Sequence, residues 1–500
     1  MMENMPITTT TTTTTTITTT TTTVLPILLI HFIFDIFIDV DFKLLIHKEG
    51  SSDEDRSKVL SIELIMKNGM EEYFKNILLA DKYSLILCTE ICKRGYLSTL
   101  MWAHKNECYW DEDTSTAAAT NGHLNCLQYA HENGCYWNED SCTGAAENGY
   151  LNILKYLHES GCPWNEDTCT AAAENGYLDL IQYARENGCY WNENSCTAAA
   201  ENGYMDILKY LHENGCPWNE DTCTAAAING YLDILKYAHE RECAWDEKTC
   251  TGAAENGYLD ILKYAHKNGC PWNEDSCTAA ATSGCMDILK YAHENGCPWD
   301  ESSSRAAVEN GYLDIFLYLY ENKCPIIEDL CYTAAKSGCL SILEWAHQNG
   351  YPWDESACTG AAESGELSVL QYLHENDAPW DSDCCRLAAL NKNLNLLQYA
   401  HDHGCPWDAS VARSAADSGE LSILQYVHEN GCPWDQYTTR AAAENGDLHI
   451  LQYAHKNGCP VDHGSTWIAA RKGHMEILQW IQGIDSVEQR MYGVFGNRKL

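Results

Sequence analysis

The chain carries 27 cysteines and 19 histidines among 500 residues, and many of them fall in one recurring stretch. Gly161–Cys169 reads GCPWNEDTC, two thiols separated by a proline, a tryptophan and acids. Thiolate and imidazole ligands at this density raise metal binding first. Structural zinc takes ligand pairs about two to four residues apart that converge on one tetrahedral point. Cys162 and Cys169 miss that spacing, with a turn and a helix start between them. A buried thiol also packs well as a small hydrophobe. Core packing is the expected role, with a disulfide ladder across units and a metal set as the alternatives. Histidine recurs on one slot, at His104, His131, His158, His212 and on to His455. Packed helices lie about 8–10 Å apart, whereas two ligands of one zinc lie within about 4 Å of each other. These imidazoles are expected on the surface near helix C-termini, where a protonated ring suits the helix dipole. The acids recur likewise, as in Glu166, Asp167, Glu174, Asp179 and Glu186, so each unit offers much the same carboxylates. No Gly-rich phosphate loop and no unique Ser/His/Asp or Cys/His set stands out. The chain reads as a non-enzyme with no catalytic residues, no cofactor and no metal.

The repetition itself locates the elements. Trp110, Trp137, Trp164, Trp191, Trp218, Trp245, Trp272 and Trp299 are 27 residues apart. After Ile326 the register resumes at Trp353, Trp380, Trp407 and Trp434, and Val461 holds the next slot. A fixed period marks stacked supersecondary units, none of which buries its hydrophobic face alone. In the unit that starts at Trp164, Asp167 is expected to cap a short alanine-rich helix, TCTAAAE. Asn175-Gly176 ends it, since glycine accepts the left-handed conformation a helix stop requires. The second helix, YLDLIQYAREN, sets Leu178, Ile181 and Ala184 at helical spacing, and Gly188 stops it. Trp164 and its equivalents are expected to fill the space between layers. One slot on the first helix varies: it holds threonine from Thr116 to Thr278, then Arg305, Tyr332, Thr359, Arg386, Arg413, Arg440 and Trp467. Arg, Tyr and Trp concentrate binding energy at interfaces. Arg305, Tyr332, Arg386, Arg413, Arg440 and Trp467 are therefore candidate partner contacts. The alternative is that each arginine pairs with an acid of an adjacent unit.

Charge narrows the partner. With 72 acids against 32 bases the formal net charge is −40. Such a chain repels nucleic-acid phosphates and anionic membrane surfaces, so a basic protein partner and no nucleic acid are expected. The opening MMENMPI lacks a basic region leading into a short apolar core. A secretory signal is thus not expected, and reduced thiols in the cytoplasm are. Residues 1–23 are a threonine-rich tract read as disordered. Residues 24–48 are apolar but interrupted by His31, Asp35, Asp39, Asp41 and Lys43. The longest uncharged run there falls short of the roughly 20 residues a membrane span needs. Residues 49–80 read as a linker or N-terminal cap, 81–483 as an array of about fifteen units, and 484–500 as a tail. A monomer is expected.

The units resemble ankyrin repeats, whose pattern runs T-P-L-H-x-A-A-x-x-G-H-L-E-V-V-K-L-L-L-E-x-G-A-D-V-N. Ala172-Ala173 fall on the AA pair, Thr170 on the His slot and Cys169 on the first Leu. GYLDLIQYARENGCYWN then overlays GHLEVVKLLLEAGADVN without a gap, and WIAARKGHMEILQW, Trp467 to Trp480, matches most closely. The resemblance covers about residues 81–483 and implies an all-α solenoid of stacked helix pairs with a protein–protein interaction role. Each unit is about six residues shorter than the family's repeat of about 33, and the missing part is where the family projects a β-hairpin finger. Binding is therefore expected through helix faces. Shortened, Cys-Pro-Trp-punctuated repeats are similar to those of giant-virus ankyrin proteins. Leu25, Pro26, Leu29, Ile33 and Phe34 follow the spacing L-P-x-x-L-x-x-x-I-F, similar to a degenerate F-box, although Leu28 stands where that family has an acid. An F-box would imply ubiquitin-ligase subunits as partners. The expectation is an acidic protein-binding scaffold, with a cullin-ligase adaptor or a membrane tether through residues 24–46 as alternatives.

Overall fold

In the computed structural model of the chain the described residues are 84–484, apart from residue 106. The expectations for 1–23, 24–48 and 49–80, and with them Leu25, Pro26, Leu29, Ile33 and Phe34, lie outside the described residues, as does the tail from 485. The described residues form α-helices and contain no strand. They divide between two compact units, the first ending at Trp137 and the second starting at Asn138. The first holds the pairs Ser84–Lys93 with Leu97–Lys105 and Glu112–Thr120 with Leu124–Glu132. In the second, helix pairs run from Glu139–Glu147 to His463–Lys472, followed by a last helix over 475–484.

The unit at Trp164 shows how the pattern folds. Glu166–Glu174 is its first helix and Leu178–Glu186 its second. Residues 187–192 then lead straight into Glu193–Glu201, so the connection is a short joint with no projecting hairpin. Ala171, Ala172 and Ala173 are all buried, and these small side chains let one first helix lie close against the next. Glu166–Glu174 packs against both Glu139–Glu147 and Glu193–Glu201, whereas successive second helices touch far less. The second helix instead buries Leu180, Ile181 and Ala184. Full burial of a Leu or Ile side chain contributes about 1.5–3 kcal/mol, which nine-residue helices need because they are marginal alone.

The cap lies two residues earlier than the sequence suggested. Asn165, not Asp167, is the N-cap: its backbone is extended (φ −132°, ψ −174°) and its side-chain oxygen accepts the Asp167 N–H at 3.2 Å. Asp167 sits inside the first turn, where its carboxylate accepts from the Asn165 amide at 3.0 Å and suits the positive end of the helix dipole. The cap slot is thus the residue directly after the Trp slot, and Asp246, Asp300, Asp354 and Asp408 cap in the same way. Ile327 is the exception. It is buried and cannot cap, and the helix there starts late, as Leu330–Lys336.

Both helix stops work as expected, and they use glycine for different reasons. Gly176 (φ +84°) and Gly188 (φ +86°) are both left-handed. A Cβ at Gly176 would also lie 2.9 Å from the Tyr204 ring of the next helix pair, whereas one at Gly188 would meet nothing within 4 Å. Each stop is closed by an asparagine amide that donates to a carbonyl one turn back, Asn175 to Ala171 at 2.9 Å and Asn187 to Tyr183 at 2.8 Å.

Candidate functional site

The variable slot lies on successive first helices, and its early occupants are structural. Thr170 Oγ1 bonds Ser195 Oγ at 3.0 Å, Thr224 bonds Thr249 at 3.1 Å and Thr278 bonds Ser303 at 3.0 Å. Each of these hydroxyl contacts ties one first helix to the next. From Arg305 onward the slot holds longer side chains, except at Thr359, whose hydroxyl bonds the Glu355 carbonyl of its own helix.

Those side chains divide into two groups. Arg305 forms a forked pair with Asp329, at 3.2 and 3.3 Å, and Arg386 bonds Asp383 of its own helix at 2.6 Å. Tyr332 takes part in a polar cluster: its hydroxyl bonds Glu363 at 3.4 Å, and Lys336 reaches both Tyr332 (3.2 Å) and Glu363 (3.0 Å). The ion-pair alternative describes Arg305, and Arg440 with Asp462, whose acids belong to the following unit, whereas Arg386 and Arg413 pair within their own helices.

Toward the C-terminal end the arginines meet aromatic rings. The Tyr437 ring lies 6.0 Å from the Arg413 guanidinium and 4.9 Å from that of Arg440. Arg471 stacks over Trp467 at 4.7 Å. Arg440 also bonds Asp462, which holds that carboxyl down at about 2. Arg413 pairs more loosely with Asp417, at 3.6 Å. Trp467 is 60% exposed and Tyr437 46%, so this strip presents aromatic surface beside cations. Exposed aromatic–guanidinium contacts of this kind are worth about 0.5–1 kcal/mol each. Sequence reasoning found Arg413, Arg440 and Trp467 and missed Tyr437 and Arg471. Tyr437 carried a signal, since it breaks a slot otherwise filled mostly by Asp, Asn or Ser.

A second feature was not foreseen. The recurring histidine is not a free surface ring but stacks flat on the tryptophan that follows it. His158 lies over Trp164 at 4.1 Å and 11°, and His293 over Trp299 at 3.8 Å and 9°. The next unit's tyrosine meets both rings edge-on, as Tyr183 does at 6.0 Å from His158 and 6.3 Å from Trp164. His266 Nδ1 and Tyr291 add a hydrogen bond at 3.1 Å. Arg185 replaces the histidine once and keeps the contact, 4.3 Å over Trp191. Burial lowers the His212 and His266 pKa values, so the fold favours neutral rings there, against the expectation of a stabilising protonated ring. Trp164 is half-buried and packs on the cluster of Cys169, Ala184 and Cys189, in keeping with a filler between layers.

Among the described residues no group of three His, Cys, Asp or Glu side chains is placed to hold a metal ion, and no helix is long and apolar enough to cross a membrane.

No family model and no curated protein matches the chain. Similar solved structures include two helical-repeat proteins. The human ASB11 ankyrin repeat domain is 16% identical at a TM-score of 0.28, over 31% of this chain and 84% of that one. The pentatricopeptide repeat protein PPR10, solved in complex with an 18-nucleotide psaJ RNA element, is 12% identical at a TM-score of 0.29, over 80% of this chain and 78% of that one.

Proposed function

We propose that the chain is a non-catalytic scaffold that binds a protein partner along the exposed side of its first helices, between Arg305 and Arg471. The observation that carries this reading is the exposed strip of Arg413, Tyr437, Arg440, Trp467 and Arg471. Arg413, Arg440 and Trp467 stand at the slot where earlier units keep a threonine bonded to the next helix, with Tyr437 and Arg471 against them, and these residue types dominate interface energetics. The arginines keep much of their charge compensated by Asp417 and Asp462, and the net charge of −40 surrounds them, so the partner is a basic protein anchored by the aromatic strip. Nucleic acid is disfavoured by the same charge.

The test is affinity capture from cell extract with the full chain and a variant carrying Arg413→Thr, Arg440→Thr and Trp467→Ala. Threonine already serves this slot elsewhere, so the variant keeps its fold by circular dichroism. The expected result is a protein retained by the natural chain, eluted by salt and lost with the variant. A partner held equally by both chains would defeat the assignment. The L-P-x-x-L-x-x-x-I-F spacing over Leu25 to Phe34 supports a second reading, a substrate adaptor of a cullin-type ubiquitin ligase. Ligase subunits should then co-purify with the full chain and be lost on deleting residues 1–60.

A further inference from the structure

The cysteines that the binding face leaves unused meet one another in the core. Over six successive helix pairs of the second unit, a thiol on the first helix faces the thiol in the joint that closes the same pair. The pairs are Cys142 with Cys162, Cys169 with Cys189, Cys196 with Cys216, Cys223 with Cys243, Cys250 with Cys270 and Cys277 with Cys297. In the first unit the same spacing of 20 residues sets the sulfurs of Cys88 and Cys108 2.6 Å apart. The structure therefore places most paired thiols within a helix pair, while Cys92 meets Cys126 of the following pair.

The pairs are held in place from several sides. Cys169, Ala184 and Cys189 form one core cluster, with Trp164 and Trp191 packed against it. The joint thiol also donates to the carbonyl of the residue that caps the first helix, as Cys189 does to Asn165 and Cys216 to Asn192, both at 3.2 Å. Helix thiols such as Cys142 and Cys196 are fully buried, while joint thiols such as Cys162 and Cys216 keep 4% exposure. The joint sulfur is thus the one a small reagent reaches first at most pairs, whereas Cys189 is as fully buried as Cys169. Cys405 meets both Cys384 and Cys385, and the remaining joint cysteines face no thiol. Ser115 donates to Cys135 at 3.2 Å, and Thr439, Ala412 and Ser304 take the corresponding places against Cys459, Cys432 and Cys324.

We propose that the facing thiol pairs are oxidative modification sites, at which a hydroperoxide forms a disulfide that fastens the first helix to the joint closing the same unit. The joint sulfur attacks the O–O bond of hydrogen peroxide, giving a sulfenic acid and one water. The facing helix thiol then forms the S–S bond by displacing the sulfenic oxygen, which leaves with the thiol proton as a second water. Two electrons pass from the two sulfurs to the peroxide, and no further reactant is needed. The thiol-to-thiol hydrogen bond, and then burial, raise the pKa of one member of each pair, so the reaction is faster at alkaline than at neutral pH.

The test is a disulfide map of the natural full chain, reduced, treated with hydrogen peroxide, alkylated and digested without reductant. The expected map links Cys142–Cys162, Cys196–Cys216, Cys223–Cys243 and the other named pairs, and leaves Cys135, Cys324, Cys432 and Cys459 alkylated. Equal oxidation of paired and unpaired cysteines, links between thiols that do not face each other, or no link at all would overturn the proposal. Cys216→Ser should leave Cys196 unlinked while the neighbouring pairs still form. The urea midpoint of the natural chain should rise on oxidation and return on reduction. A midpoint that falls or stays fixed would sink the fastening role.

Discussion

At the scale of single residues, the recurring side chains do their chemistry on each other. The joint cysteine is a donor to a capping carbonyl, the histidine is a lid on a tryptophan, and the asparagines close helix ends. The histidine contact has a consequence for pH. His212 titrates below its ordinary value because of burial and then the nearby Arg241 charge, and His266 does so because of burial. The unfolded chain takes up these protons first as pH falls, so the neutral-ring contribution is fully present above the unfolded value of about 6.5 and is lost progressively below it. Urea unfolding should accordingly show a lower midpoint at about pH 5.5 than at about pH 7.5, and both imidazoles should titrate below about 6.5 by NMR. A midpoint that rises on acidification would contradict the stacked, neutral assignment.

At the scale of elements, the stops between helices carry a stability that single substitutions can probe. Lys392 occupies the first stop of its unit with φ +62°, where equivalent positions hold glycine. A left-handed lysine costs roughly 1–2 kcal/mol in the backbone, partly offset by the extra unfolded-state entropy glycine brings. Lys392→Gly should therefore stabilise the array by about 1 kcal/mol in denaturant unfolding, and a loss of stability would show that the Lys392 side chain makes a compensating contact. Glycines at the two stops should respond unequally. Gly176→Ala meets both backbone strain and the Tyr204 ring, whereas Gly188→Ala meets strain alone, so the first should destabilise more.

At the scale of the molecule, the second compact unit is a row of near-equivalent layers, each held mainly by its first helix against the neighbouring ones. Stability in such an array is close to a sum over layers and their interfaces. Removing residues 193–219 would join the cap Asn192 directly to Glu220, which starts the equivalent helix one period on. The shortened chain should keep its helical circular dichroism per residue and unfold cooperatively at a modestly lower temperature. Loss of the helical signal would mean that the layers are not interchangeable.

The sequence by itself determined the all-helical class, the 27-residue period, the helix stops and the buried place of the cysteines. These follow from local rules, since a glycine after asparagine and an apolar face at helical spacing mean the same wherever they occur. It misplaced the cap by two residues because Asn165 and Asp167 are both good capping types, and only the backbone torsions separate them. It picked out Arg413, Arg440 and Trp467 by composition, but it could not distinguish arginines that only pair with an acid, such as Arg305, from those that also sit on Tyr437. The stacking of histidine on tryptophan and the meeting of thiols 20 residues apart were likewise decided by tertiary structure. Such contacts depend on how one helix is rotated against the next. That rotation is set by the packing of whole layers and leaves no mark in the spacing of any one segment.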